Sequence, residues 1–110
     1  MILILREPAT QEQTAEMLQA YGKLIKLAVD VERAVVAGGG DLHADCEQVL
    51  LADGSRQADI WGADWDPAGE VRLESLINIR PRQGNYDMEL QSPDLRERAE
   101  RIVRKMFQGD

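Results

Sequence analysis

The apolar residues change period twice along the chain, and few folds accommodate both changes. From Thr10 onward Met17, Leu18, Tyr21, Leu24, Ile25 and Ala28 recur at helical spacing. Thr10 and Gln13 form a capping-box pattern at the start, so the spacing predicts a helix over about 10–27. Val29, Val31, Arg33 and Val35 then alternate with Asp30, Glu32, Ala34 and Val36, which predicts a strand over 29–37. The same period of two returns at 71–80, where Val71, Leu73, Ser75, Ile77 and Ile79 alternate with Arg72, Glu74, Leu76, Asn78 and Arg80. The helical period comes back after Ser92-Pro93-Asp94, an N-cap serine followed by proline at the first helical position. Leu95, Ala99, Ile102, Val103 and Met106 give that helix its apolar face, and Gly109 ends it.

Three segments complete the outline. Ile2–Leu5 is a short apolar strand stopped by Pro8. Residues 57–65, with Ile60, Trp61 and Trp65, read as a strand before the Asp66-Pro67 turn. Leu42–Leu51 fits two descriptions. As a strand it puts Leu42, Ala44 and Cys46 on one face. As a helix it stripes Leu42, Cys46, Val49 and Leu50, with Gly54 just past the end. The glycines on either side favour the strand, because both Gly39-Gly40 and Asp53-Gly54 suit hairpin turns. The order strand, helix, several strands, helix is that of an α+β fold. It predicts a mostly antiparallel sheet of four to five strands covered by two helices, in one domain spanning 1–110.

Charge narrows the function classes. Lys and Arg number 13 against 20 Asp and Glu, a net charge of −7. Residues 28–70 supply the excess, with acids from Asp30 to Glu70 opposed only by Arg33 and Arg56. Such a surface repels phosphate backbones and anionic membranes, so nucleic acid is an unfavourable partner. No run approaches the roughly 18–20 apolar residues of a membrane span, and Ile2–Leu5 is too short for a secretory leader. A lone cysteine, Cys46, cannot form an internal disulfide and suits a reducing cytoplasm.

The segments GGGDLHAD (38–45), GSRQADIWG (54–62) and SLINIRPRQGN (75–85) carry a resemblance. The chain resembles a prokaryotic family described only as a domain of unknown function, found as small stand-alone proteins. The resemblance implies a compact domain and assigns no activity.

Two constellations are candidate sites. His43, Asp45 and Glu47 combine one imidazole with two carboxylates. That set suits a divalent cation such as Mg²⁺ or Mn²⁺, or a His–carboxylate acid/base pair. In a strand all three share a face, whereas in a helix His43 and Glu47 remain neighbours and Asp45 turns away. Asn78, Arg80, Arg82 and Asn85 form the second group, in which the Arg80 fork can grip a carboxylate or a phosphate. The alternative for Arg80 is an internal pair with one of the many acids. Gly38-Gly39-Gly40 lacks the Lys-Ser/Thr of a phosphate loop and reads as a tight turn. The basic residues Arg96, Arg98, Arg101, Arg104 and Lys105 of the last helix offer either a stripe for an acidic partner or internal pairs with Glu97 and Glu100. No complete catalytic set is present. The expectation is a cytoplasmic, non-enzymatic interaction or regulatory protein, self-associating and without a cofactor. The alternative is a metal- or anion-binding enzyme using the two constellations.

Overall fold

A computed structural model describes residues 1–109. The strands are β1 (Leu3–Leu5), β2 (Ile25–Asp30), β3 (Val35–Gly38), β4 (Ile60–Trp65) and β5 (Val71–Arg72). The helices are α1 (Gln11–Leu18), α2 (His43–Ala52) and α3 (Pro93–Gln108). The strands form one antiparallel sheet in the order β1-β3-β2-β4-β5, which is the α+β architecture the alternating periods predict. No helix among the described residues is long and apolar enough to cross a membrane.

Both faces of the sheet are covered. Leu27, Val29, Val36 and Trp61 lie on one face, against Met17 of α1 and Ala99, Val103 and Met106 of α3. Ala28, Val35, Ala37 and Ile60 lie on the other, against Cys46 and Leu50 of α2. The small side chains Ala28 and Ala37 let α2 sit close to the strands. The third helix is a correction to the two-helix expectation.

Four boundaries differ from the sequence reading, each for a local reason. The first helix ends at Leu18 rather than near 27, because Gly22 takes the left-handed conformation at φ 73° and its N–H closes back on the Leu18 carbonyl. The residues from Ile25 on belong to β2, where Ile25, Leu27, Ala28, Val29 and Asp30 are all buried. The expected strand at 29–37 is two strands around a turn. Fully buried Asp30 makes that turn by accepting the N–H groups of Glu32 and Arg33, both at 2.9 Å. Residues 42–51 are helical, not extended. Gly54, at φ 104°, donates to Leu51, and Ser55 donates to Leu50, closing α2 with the paired bonds of a Schellman motif. The strand expected over 71–80 stops at Arg72. Beyond it Ser75 caps a single 3₁₀ turn (Leu76–Asn78) by accepting the Ile77 N–H at 3.2 Å. The two predicted caps of α1 and α3 form as expected, Thr10 to Gln13 N–H and Ser92 to Leu95 N–H.

The burial of Cys46 gives the fold a chemical probe. Its thiol is inaccessible, donates to the Lys26 carbonyl at 3.5 Å, and burial pushes its pKa up to about 11. An unfolded thiol titrates near ~8.5. The folded value is the higher one, so this contribution to stability is complete below the unfolded value and is lost as pH rises through the folded one. Labelling of Cys46 by a disulfide reagent is therefore expected to follow unfolding. It should be slow in the native protein and immediate in denaturant, and stability should decline from pH ~9 upward. Rapid native labelling at neutral pH would contradict this placement.

Candidate functional site

β4 has two unlike edges. Its inner edge pairs with β2 along all six residues. Its outer edge meets β5 only at Asp64 and Trp65, and the backbone from Ile60 to Gly62 faces the 74–91 segment instead of a strand. Side chains supply the missing ladder. The buried amide of Asn78 accepts the Gly62 N–H at 2.7 Å and donates to the Gly62 carbonyl at 3.1 Å and the Met88 carbonyl at 3.0 Å. A Cβ on Gly62 would lie 2.4 Å from that of Ser75, so glycine is what lets the segment close onto the sheet. Asn85, also buried, donates to the carbonyls of Asn78, Asp87 and Glu89 and accepts from the Gln91 N–H at 2.8 Å.

Arg80 fastens the same segment to three other elements. Its guanidinium donates to the carbonyls of Ile77 at 2.9 Å, Gln57 at 2.8 Å and Ile60. It also pairs with Glu47 of α2 at 3.5 Å and stacks over the Trp61 ring, 4.3 Å from the centroid. Burial pulls the Arg80 pKa down and the Glu47 carboxylate opposes that pull. Three of the predicted site residues, Asn78, Arg80 and Asn85, are thus brought together, and their hydrogen-bonding groups are engaged within the chain. Glu47 joins them from α2. Arg82 stays exposed on the neighbouring turn.

His43 and Asp45 part company. The helix sends exposed Asp45 to another side of α2. His43 instead reaches β4, where its Nε2 lies 2.7 Å from the Asp64 carboxylate and 3.1 Å from the Ala63 carbonyl. Both partners are acceptors, so Nε2 carries a proton, and Nδ1 makes no hydrogen bond among the described residues. Asp64 is the residue that sequence spacing missed. It lies 21 positions away, and the only signal for it is that Asp64 falls in register with Gly62 and Ile60 on the face under α2. Among the described residues no group of three or more His, Cys, Asp or Glu side chains converges as a metal centre.

The surface above these residues is apolar and open. A cleft of about 370 Å³ runs past His43, Asp64, Glu74 and Met88. A second, of about 530 Å³, runs past Glu47, Ile79, Arg80 and Arg82. Leu76 and Ile77 form the ridge that both clefts share. Leu42, Leu76 and Ile79 stand 56%, 72% and 45% exposed along this surface.

Two other sequence features resolve simply. Gly38–Gly40 does lead into a helix, but its glycines serve packing: a Cβ on Gly39 would lie 2.5 Å from the Met1 carbonyl, and Asp41 and Asp45 line the adjoining hollow. The basic stripe of α3 is largely spent internally, through Arg98 to Glu32, Arg101 to Glu97 and Arg104 to Glu100. Compared with known proteins, the chain matches a family model described as a protein of unknown function (DUF5674) over residues 3–106. No curated protein and no solved structure matches.

Proposed function

Because the chain belongs to the DUF5674 family of proteins of unknown function, we propose its role from its own geometry: a partner-binding protein of the cytoplasm whose docking face is the α2–74–83 surface. The observation that carries this reading is the exposure of Leu42, Leu76 and Ile79 beside two open clefts, over a floor whose polar groups are already engaged. Exposed aliphatic side chains grouped on one face favour a protein partner over a small polar substrate. The charges around the clefts are mixed: Glu74, Lys26 and Arg82 have no ion pair among the described residues, whereas Arg80 is paired with Glu47 and His43 with Asp64. The face therefore suits an amphipathic segment that offers aliphatic anchors, with neither sign of flanking charge favoured.

Titration with a helical Leu/Lys peptide tests this directly. The peptide is expected to shift the amide NMR signals of residues 42–44 and 74–80, and the double variant Leu42→Asp/Leu76→Asp to abolish the shifts. Equal binding of a peptide whose leucines are replaced by serine, or shifts confined to other surfaces, would overturn the reading.

One observation favours a second reading. The free Nδ1 of His43, with Nε2 anchored on Asp64, is the arrangement of an acid/base histidine or a metal ligand, and it lines a cleft. An activity or a divalent-ion-dependent rise in melting temperature that His43→Asn removes, with the fold intact, would support that enzyme. A flat response across esters, phosphoesters and divalent ions would end it.

A further inference from the structure

The sheet ends in two edge strands, β5 and β1. At the first end the outer edge of β4 is covered by the two-residue strand β5 and by Asn78 and Arg80. The other edge is β1, and no hydrogen bond from another element reaches its outer backbone among the described residues. Open edges are normally guarded by lysine, proline or a bulge, since they template pairing with other chains. β1 is short, at three residues, but carries none of these: its residues are Leu3, Ile4 and Leu5, and the adjoining charge, Arg6, is held by Asp53 at 2.7 Å.

From this open apolar edge we infer that β1 is a self-association edge, pairing antiparallel with β1 of a second copy across a two-fold axis to give a continuous ten-stranded sheet. The register follows from the ladder. Gly39 donates to Lys26, so Lys26 and Gly39 form a bonded pair, and alternation makes Ala28 and Ala37 the next. Gly38 and Val36 then point their amides at β1, where they bond Leu3 and Leu5. This leaves the N–H and C=O of Ile4 aimed outward, with those of Ile2 and Arg6 on the same side. A two-fold axis at Ile4 sets it opposite Ile4 of the second copy and sets Ile2 opposite Arg6. All three outward positions thus find partners, and no like charges meet. Ile2 and Ile4 are only partly buried against the α2 layer, and Leu3 is only partly buried on the opposite face. The pairing would cover the remaining apolar area of all three. A second copy is the occupant that fits, because antiparallel self-pairing matches this short segment to itself without any further specificity.

The joint is short, so its affinity is modest. Sedimentation equilibrium between ~10 µM and ~1 mM is expected to show the mass rising from one copy toward two. Hydrogen exchange reads the register. The Ile4 amide should become protected as concentration rises, while those of Leu3 and Leu5 stay protected throughout. Ile4→Pro removes the outward N–H and should hold the protein monomeric, and Ile4→Lys gives the same result if the proline variant folds poorly. A strict monomer at 1 mM overturns the inference. So does a dimer whose Ile4 exchange is independent of concentration, or one abolished by Leu76→Asp rather than by the Ile4 variants. The docking face lies at the other side of the sheet, so these outcomes are separable from those of the peptide titration.

Discussion

Asn78→Ala is expected to lower the unfolding free energy by about 3–5 kcal/mol, close to the limit for a single polar side chain. The alanine removes three hydrogen bonds at once, and all three partners are main-chain groups: the Gly62 N–H, the Gly62 carbonyl and the Met88 carbonyl. Asn78 is fully buried, so water has no ready access to replace them. An unpaired buried donor or acceptor costs about 1–3 kcal/mol. The amide chemistry is specific. Asn78→Asp keeps an acceptor for the Gly62 N–H but turns a carboxylate oxygen toward two carbonyls, so the isosteric change is expected to fail as well. Urea unfolding followed by circular dichroism measures both variants. A loss below ~1 kcal/mol for the alanine would mean that solvent enters the edge of β4 and that the 74–91 segment is not a seal.

The same residue shows where the sequence stops being legible. Caps and terminators are local chemistry, so Thr10, Gln13, Ser92, Pro93 and Gly109 mark their elements correctly. Period is also local, and it identifies the α+β class. Periodicity nonetheless misreads 71–80, because Asn78 and Arg80 alternate with Ile77 and Ile79 as strand residues do. These polar side chains do the work of a strand's backbone on β4, which is a tertiary relation that spacing cannot encode. Asp30 misleads in the same way, since its turn-forming carboxylate hides within a run of valines. Chain spacing groups His43 with Asp45 and Glu47, its neighbours in the sequence. Once 42–51 is a helix against β4, Asp64 becomes its partner and Glu47 becomes that of Arg80.

Arg80→Met should rival Asn78→Ala, costing about 3–5 kcal/mol for a different reason. Methionine fills much of the same volume over Trp61, so the loss is electrostatic and hydrogen-bonding rather than one of packing. The carbonyls of Ile77, Gln57 and Ile60 lose their donor, and the Glu47 carboxylate, with a side chain only 9% exposed, is left facing an apolar group. Arg80→Lys is not a conservative rescue, because one ammonium cannot span acceptors set around a planar fork. Glu47→Gln in the Arg80→Met background removes the stranded charge and should recover about 1–2 kcal/mol, the coupling expected for residues in direct contact. A double-mutant cycle by chemical denaturation measures that recovery. It also decides between the two roles open to Arg80. If Arg80 is a brace, sulfate and phosphate leave the melting temperature of the native protein unchanged and the coupling to Glu47 is large. If it is an anion receptor, those ions stabilise the protein and Arg80→Met costs little beyond that response. The fastening of one guanidinium to two 3₁₀ turns, a strand and a helix favours the brace, and it leaves exposed Leu76 and Ile79 above it as the surface free to meet a partner.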